Sequence, residues 1–449
     1  MNTRKLLWVS AVAGVTAFVA LGAGAHELDG VVMTGDADRA KCLYKPGEKM
    51  TFTFGFKAVE EGKSLPVAPT NSYYLLIIRT GDDGKRESIR LPVTDFATQI
   101  VYSTSLDRPG FVSVKPQLFA TKGDKAVRPI VWNHATWTAA DCGAGVEIEK
   151  LRSSPEPTDF DDFWTRQKAR LAAVPVKATL TPVGSNGWVT VYEAVVDCAG
   201  PRPCTGYLSV PNDAAKGKRY PARVIFNSYG PPPKMAPKPQ GAGGVARDRI
   251  EFRINAHGYL FGQPDAYYQA LNDEISDKGS HNYAFVKEED PEKLYFNGMA
   301  LRVLRSLEYV KTLPAFNGEL SVNGGSQGGL QCAWAASLDH DVKFVDTCVT
   351  WCCDFGGFKQ GRKVTRWRIP YTPALEYYDS ALHAKRYAKD CRVDITRAGL
   401  GDYISPPSGL AVYYNNIPGP KSIRWVQNAE HGDGVQPWRQ TFTIENPGK

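Results

Sequence analysis

After its first 25 residues the sequence lacks long apolar runs, and throughout it lacks blocks of like charge. The 449 residues include 54 lysines and arginines against 47 aspartates and glutamates, which gives a formal net charge of +7. Scattered charge of this size indicates a mildly basic surface and argues against a nucleic-acid partner. Low-complexity segments are also missing, and hydrophobic residues make up 43% of the chain, as in ordinary globular proteins.

Residues 1–25 are predicted to be a secretory signal peptide. Arg4 and Lys5 supply a positive start, the uncharged stretch LLWVSAVAGVTAFVAL follows, and residues 23–25 form a small-x-small cleavage site before His26. An uncleaved membrane anchor is the alternative, but the apolar stretch is short for a spanning helix. We therefore expect a secreted or periplasmic protein with no stable membrane insertion after signal cleavage.

The cysteine count is nine, an odd number. In an oxidising compartment Cys42 and Cys142 could close the first predicted domain, and Cys198 and Cys204 could pin the short loop between them. The spacing of the cysteines within residues 348–353 matches no zinc framework, and no histidine is close in sequence. Buried thiols are favoured there, and no metal is expected.

Residues 26–145 are predicted to form an all-β domain. The segments MTFTFGF, YYLLIIR, ESIRLPV and GFVSVKPQLF are short, rich in β-branched or aromatic residues, and separated by turn signals such as KPG. Short strands at this spacing predict a small immunoglobulin-like sandwich. No grouping of acid, base and nucleophile is visible in this region, and its role is open.

Residues 146–449 are predicted to form an α/β domain. Its first helix places Phe160, Phe163 and Trp164 on one apolar face, with Thr158 as a suitable N-cap residue. Further along, the strand-like segments VTVYEAVVD, TGYLSVP, ARVIFN, ELSVN, KFVDTCV, VDITRAG and SIRWVQ alternate with helical segments such as the amphipathic ALRVLRSLEYVKTL. This alternation predicts a mostly parallel sheet covered by helices on both faces.

The segment NGGSQGG, residues 323–329, separates the predicted strand ELSVN from the predicted helix GLQCAWAASL. It contains the pattern G-x-S-x-G, which in a strand–turn–helix setting places a serine on a strained turn with its hydroxyl exposed. Glycines are needed there because strand and helix pass closely. We therefore predict Ser326 as a nucleophile and the backbone N–H of Gln327 as an oxyanion donor. A plain glycine-rich loop is the alternative.

A serine nucleophile needs a base, and the expected order along the chain is serine, acid, histidine. Of the histidines after Ser326, His431 is favoured because it directly follows the strand SIRWVQ. His340 lies just past the nucleophile helix, and His383 is in a helical stretch expected at the surface. Asp402 is the predicted acid, since it lies in the loop after VDITRAG, although a turn-capping aspartate is the alternative.

The second oxyanion donor is expected from the loop that follows the strand ARVIFN. The backbone N–H of Tyr229 is the candidate, because this residue comes shortly after the strand ends. A simple turn leading into the following prolines is the alternative.

Together, these segments resemble the acetyl xylan esterase and cephalosporin C deacetylase family of carbohydrate esterases. The matching stretches are PTDFDDFW, VIFNSYG, NGGSQGGLQCAWAASLD, the Cys353-Asp354 step, GLGDYISPPS and NAEHG. The resemblance implies an α/β-hydrolase fold and the same nucleophile, acid, base and oxyanion donors as above. It departs from the family at residues 255–263, where the Arg-Gly-Gln motif that members often carry is missing. The family's usual oligomer and sugar preference are therefore not implied.

The expected function is a secreted serine esterase that removes O-acetyl groups from carbohydrates such as acetylated xylan or xylo-oligosaccharides. No metal or organic cofactor is expected, and an oligomer is left open. Trp351 and Phe355 are candidates for stacking on sugar rings, with core packing as the alternative.

Two other classes of function are open. One is a serine hydrolase of other esters or of peptides on the same fold, although neither the apolar lid of a lipase nor the long propeller of a peptidase is visible. The other is a non-catalytic carbohydrate-binding surface protein. A complete serine, aspartate and histidine in the expected order argues against the second class.

Overall fold

The computed structural model describes residues 26–66, 72–230, 245–276, 283, 287–362 and 369–448. The predicted signal peptide lies outside the described residues. Within those ranges no helix is long and apolar enough to cross a membrane.

Strands dominate the first third of the chain and alternate with helices thereafter. The strands are β1 (Val31–Ala37), β2 (Leu43–Tyr44), β3 (Met50–Ala58), β4 (Tyr73–Gly81), β5 (Arg86–Val93), β6 (Ile100–Thr104), β7 (Gly110–Ala120), β8 (Lys125–Ala126), β9 (Ile130–Val131), β10 (His134–Ala135), β11 (Cys142–Val146), β12 (Ala178–Ser185), β13 (Val189–Val196), β14 (Cys204–Pro211), β15 (Tyr220–Phe226), β16 (Ile250–Ile254), β17 (Phe316–Gly325), β18 (Val342–Cys348), β19 (Arg392–Gly399), β20 (Lys421–Val426) and β21 (Thr441–Asn446). The helices are α1 (Phe160–Ala172), α2 (Asp265–Ile275), α3 (Tyr295–Thr312), α4 (Gln327–Leu338), α5 (Ser380–Ala384) and α6 (Pro407–Asn416).

The N-terminal strands form a three-stranded sheet, β1-β3-β6, a six-stranded sheet, β2-β11-β7-β4-β5 with β8 beside β7, and the small hairpin β9–β10. Every second residue is buried along β3 and β4, and these side chains share one hydrophobic core. The segments predicted as strands from their composition are present as β3, β4, β5 and β7. The immunoglobulin-like sandwich and the division into two domains stay predictions.

A ten-stranded sheet forms the second part, in the order β12-β13-β14-β16-β15-β17-β18-β19-β20-β21. The strands from β16 to β20 pair in parallel, and antiparallel strands extend the sheet at both edges. Helices α3 and α4 pack against its central strands. The mixed α/β fold predicted from the alternation of segments is therefore confirmed.

The predicted cap of helix α1 is wrong by one residue. The helix begins at Phe160 with Asp159, not Thr158, at the N-cap, and no side chain accepts a capping hydrogen bond there. The carboxylate of Asp159 instead accepts a hydrogen bond from the hydroxyl of Tyr377. The first turn is thus held by a distant tyrosine.

Helix α3 is helical as predicted, but it is buried on almost all sides. Residues 296–307 are all buried, including Arg302 and Arg305. Arg302 donates from Nε to the carbonyl oxygen of Ala256 at 2.9 Å, and Arg305 donates to that of Leu171 at 2.8 Å. The charged residues that suggested a solvated face therefore bind buried carbonyl oxygens.

The expectation that His383 lies at the surface is also wrong. Its side chain is fully buried, and its ring nitrogens hydrogen-bond with Ser337 Oγ at 2.9 Å and the carbonyl oxygen of Tyr377 at 3.0 Å. Burial lowers the pKa of His383 to about 3, because charging the ring would cost desolvation. The imidazole is therefore a neutral core group.

All nine cysteines are free thiols. Cys42 lies between the carbonyl oxygen of Arg39 at 3.7 Å and the side-chain nitrogen of Gln427 at 3.5 Å. Cys142 packs instead against Gly35, where a Cβ would come within 2.4 Å of its sulfur. The two disulfides considered from the sequence are therefore not formed in the structure.

Strand β11 runs along the start of the two loops that follow β19 and β20. Gln427 is fully buried, and its side-chain amide both accepts from the N–H and donates to the carbonyl oxygen of Gly143, each at 2.8 Å. Strand β2 pairs with β11 only at Gly145 and Val146. The Gln427 amide therefore takes the place of a neighbouring strand at Gly143, as buried backbone groups require partners.

The same contact is reinforced on both sides. The N–H of Asp141 donates to Asn428 Oδ1 at 3.0 Å, and the N–H of Ala429 donates to the carbonyl oxygen of Asp141 at 3.1 Å. A Cβ on Gly401 would lie 2.2 Å from that same oxygen, so only glycine fits there. The loops after β19 and β20 are thus fastened to the N-terminal sheets.

Replacing Gln427 by leucine tests this fastening. We expect Gln427→Leu to lower the free energy of unfolding by about 2–4 kcal/mol, because two buried backbone groups of Gly143 lose their partner. Urea denaturation measures the change. The exposed Gln263→Leu is the matched control and should stay within about 0.5 kcal/mol of the parent. Equal midpoints for both variants would contradict the assigned role.

The neutral His383 predicts a pH dependence of stability. Its pKa falls from 6.5 to about 3 on folding, so the unfolded chain binds more protons and stability decreases as the pH drops below 6.5. Between pH 6.5 and 5 this group should account for roughly 1.5 kcal/mol of lost stability. Urea unfolding at both pH values should show a correspondingly smaller loss for His383→Asn. The His340→Asn variant, which replaces an exposed histidine, should lose as much stability between these two pH values as the parent.

Candidate active site

Ser326 lies at the junction of β17 and α4 with a φ of 57° and a ψ of −119°. This backbone conformation is strained for a residue with a side chain. The N–H of Ser326 donates to the carbonyl oxygen of Cys348 at 3.0 Å, and its own carbonyl accepts from the N–H groups of Leu330 and Trp351, both at 3.1 Å. These bonds hold the turn that presents the hydroxyl group.

The glycines of NGGSQGG are required by close contacts. A Cβ on Gly324 would lie 2.6 Å from the carbonyl oxygen of Gly328. A Cβ on Gly328 would lie 2.4 Å from that of Phe226, and one on Gly329 would lie 2.7 Å from Thr347 Oγ1. Strands β15, β17 and β18 and helix α4 therefore approach too closely for side chains at these positions.

The structure brings together the three side chains predicted as nucleophile, base and acid. His431 Nε2 is 2.8 Å from Ser326 Oγ, and His431 Nδ1 is 2.8 Å from Asp402 Oδ2. With the proton on Nδ1, the ring donates to Asp402 and accepts from Ser326. Asp402 is fully buried, and its Oδ1 accepts from the N–H groups of Ile404 at 2.8 Å and Ser405 at 2.9 Å. Its orientation is therefore fixed on both sides.

The loop that carries His431 is held by its own contacts. Arg397 Nη1 donates to the carbonyl oxygens of His431 at 2.8 Å and Asp433 at 2.5 Å. The N–H of Glu430 donates to Asp433 Oδ2 at 2.9 Å. The imidazole is thus placed by a closed turn, with 14% of the side chain exposed.

The two residues predicted as oxyanion donors lie on either side of Tyr283. Gln327 opens α4, where the first N–H groups have no partner within the helix, and its Oε1 accepts from the Tyr283 hydroxyl at 3.0 Å. The ring of Tyr229 stacks on that of Tyr283 with centroids 4.9 Å apart. Ser228 Oγ donates to the carbonyl oxygen of Gly325 at 3.0 Å, which ties the Tyr229 loop to the serine turn.

Sequence reasoning missed Tyr283 and also His257, which supports the Tyr229 loop. His257 is fully buried, its Nε2 lies 2.9 Å from the carbonyl oxygen of Gly230, and its Nδ1 contacts the hydroxyl of Tyr295. Burial lowers the pKa of His257 to about 3, so the neutral ring can donate to Gly230 from Nε2. The polar residues Asn255 and His257 directly after the buried β16 were the available signal.

Trp351 and Phe355, the residues predicted to stack on sugar rings, differ in their surroundings. Trp351 is only 3% exposed and packs edge-on against Tyr229 and Phe296, with ring centroids 6.1 and 6.3 Å apart. Phe355 is half-buried, and its N–H donates to Asp379 Oδ2 at 2.5 Å. The contacts of Trp351 match the core-packing alternative, and substrate stacking by either residue stays a prediction.

In the described parts of the chain, no group of His, Cys, Asp or Glu side chains is arranged to hold a metal ion. Burial raises the pKa values of the Cys352 and Cys353 thiols well above their usual range. These thiols are therefore protonated, which is the form least suited to metal binding.

Comparisons with known proteins identify the family and the fold. The sequence profile of the acetyl xylan esterase (AXE1) family matches residues 146–443. The acetyl xylan esterase from Paenibacillus sp. R4 superimposes with a TM-score of 0.52 at 22% identity, covering 64% of this chain and 94% of that chain. Acetyl xylan esterase 1 from Thermoanaerobacterium sp. JW/SL YS485 gives a TM-score of 0.53 at 18% identity, covering 65% and 94%.

At these identities the two superpositions establish a shared fold. The profile match extends over most of the chain and confirms the resemblance noted in the sequence. The chain therefore belongs to the acetyl xylan esterase (AXE1) family and is a carboxylic ester hydrolase.

Proposed function

We propose that the protein is a secreted serine esterase that removes O-acetyl groups from carbohydrates such as acetylated xylan, with Ser326, His431 and Asp402 as its catalytic triad. The observation that carries the proposal is the unbroken hydrogen-bonded path from Asp402 through His431 to Ser326, with both distances at 2.8 Å. Membership of a family of acetyl xylan esterases supports the acetylated sugar as substrate. Secretion rests on the predicted signal peptide of residues 1–25.

The first half of the reaction forms an acetyl-enzyme. Ser326 Oγ attacks the acetyl carbonyl carbon while His431 Nε2 accepts the hydroxyl proton. The oxyanion of the tetrahedral intermediate accepts hydrogen bonds from the N–H groups of Gln327 and Tyr229. Each donor lowers the barrier by on the order of 3 kcal/mol. His431 then protonates the departing sugar oxygen.

The second half releases acetate. A water molecule loses a proton to His431 Nε2 and attacks the acetyl carbonyl carbon, and the same two N–H groups stabilise the second oxyanion. Collapse of this intermediate breaks the bond to Ser326 Oγ, which recovers its proton from His431. Buried Asp402 stabilises the imidazolium in both halves, since its Oδ2 is fixed 2.8 Å from Nδ1.

Removing the nucleophile is the direct test. Ser326→Ala should reduce the rate of acetate release from acetylated xylo-oligosaccharides by about 10⁴- to 10⁶-fold, because no other group in the triad can form the acetyl-enzyme. The exposed Ser185→Ala should retain the parent rate. If Ser326 is needed to cleave an aryl acetate but no acetate is released from sugars, the protein is a serine esterase and the carbohydrate substrate is wrong.

Asp402→Asn should lower kcat by about 10⁴-fold with little change in KM. An asparagine amide would donate to Nδ1 and so force the ring proton onto Nε2, where it faces Ser326 and blocks proton transfer. Asp394→Asn is the matched control, since Asp394 lies within β19 and binds Ser422 Oγ at 2.9 Å. Loss of activity in the control but not in Asp402→Asn would reject the assigned acid.

A further inference from the structure

A groove opens between the N-terminal sheets and the loop that carries His431. Its volume is about 640 Å³, within the range of about 300–1,000 Å³ that is typical of small-molecule sites. We name it the tryptophan groove and define it by six of its lining residues. These are Trp132, Trp137, Lys115 and Asp141 from the N-terminal region, with Glu430 and Trp438 from the segment around and after His431.

The groove presents large aromatic rings to solvent. Trp132 is 51% exposed and Trp137 is 52% exposed, and Trp438 is half-buried with its ring centroid 6.1 Å from that of Trp132. Exposed apolar surface grouped in this way marks a binding site more often than chance. Flat indole faces suit the C–H faces of sugar rings, while neighbouring polar groups can bind hydroxyls.

The backbone at Trp132 has a strained conformation. Strands β9 and β10 are joined by a two-residue turn in which Trp132 has a φ of 48° and Asn133 a φ of 63°. Turns with two positive φ angles favour asparagine and glycine, and a bulky residue there is an outlier. The N–H of Trp132 donates to the Glu60 carboxylate, which fixes the turn. A strained backbone that holds an aromatic ring exposed to solvent indicates that the ring has a function.

The polar wall of the groove carries paired charges. Lys115 Nζ lies 2.7 Å from Asp141 Oδ1 and 2.6 Å from Glu430 Oε1. The other lining cation, Arg439, pairs with Asp433 at 3.3 Å. Because both cations already have carboxylate partners, the groove suits an uncharged ligand with hydroxyl groups better than an anion. Glu430 precedes His431 in the chain, so the groove begins next to the proposed base.

We propose that the tryptophan groove binds the sugar chain of the substrate, a neutral β-1,4-linked xylan chain, on sugar units beside the acetylated one. The inference rests on the proposed function and adds a binding site that the N-terminal sheets contribute. The aromatic rings then stack on sugar faces, and the ion-paired wall binds hydroxyl groups. Unacetylated sugar units are bound as well, since none of the residues that line the groove belongs to the proposed triad.

Binding without catalysis is the first test. Xylohexaose is titrated calorimetrically into the Ser326→Ala protein and into the same protein carrying Trp132→Asn. We expect the second to bind about tenfold more weakly, as on truncation of a central aromatic contact. Trp188→Ala is the matched control, because Trp188 is 60% exposed but lies at the turn between β12 and β13, away from the groove. Its affinity should equal that of the parent.

Thermal unfolding separates lost binding from lost folding. Asparagine fits a turn position with positive φ, so Trp132→Asn should unfold at the same temperature as the parent or higher. A purely structural Trp132 would instead give a lower unfolding temperature and unchanged affinity for xylohexaose. That result would overturn the proposal.

Acetate release by the native chain distinguishes the two proposals. If acetylated xylo-oligosaccharides are deacetylated while xylohexaose binds equally to both proteins, the groove assignment fails and the esterase stands. If xylohexaose binding depends on Trp132 but no acetate is released from sugars, the groove stands as a xylan-binding site only and the proposed function fails. With both correct, Trp132→Asn should lower the ratio of kcat/KM on the acetylated oligosaccharide to kcat/KM on an aryl acetate by about tenfold.

Discussion

The reciprocal amide pairing of Gln427 with Gly143 is the contact on which the site depends. Asp402 and His431 lie on separate loops, and the proposed mechanism needs both held to within a fraction of an ångström. Strand β11 supports both loops. Its residue Gly143 is hydrogen-bonded to Gln427, which follows β20, and lies so close to the carbonyl oxygen of Leu400, which follows β19, that a Cβ would not fit. The two loops supported in this way carry the His431 and Asp402 side chains, which lie 2.8 Å apart.

The proposed nucleophile is positioned in a different way, since Ser326 is held in a strained conformation by hydrogen bonds from its N–H and to its carbonyl oxygen. Strain of this kind costs on the order of 1–3 kcal/mol and persists only where the surrounding structure fixes it. The close approach at Gly324 and Gly328 provides that rigidity. Tyr283 contacts both this turn and the Tyr229 loop, so it joins the serine and both proposed oxyanion donors.

The sequence was sufficient to predict that Ser326, Asp402 and His431 lie together, because each follows a recognisable strand at the same edge of the sheet. It was insufficient for His257, whose partner Gly230 is 27 residues away and reached only through the tertiary fold. At helix α3 the sequence pattern predicted an amphipathic helix but did not reveal that Arg302 and Arg305 bind buried carbonyl oxygens. The tryptophan groove had no sequence motif at all, because two separate parts of the chain form its walls.

The position of β11 also bears on how a family domain is delimited. Similarity to the family begins at residue 146, the last residue of β11, yet the residues that support the acid and base loops are Asp141 and Gly143. The segment that the family shares and the segment that supports these two loops therefore begin at different residues. A chain cut back to the shared segment would keep every triad residue and lose the surface that aligns them.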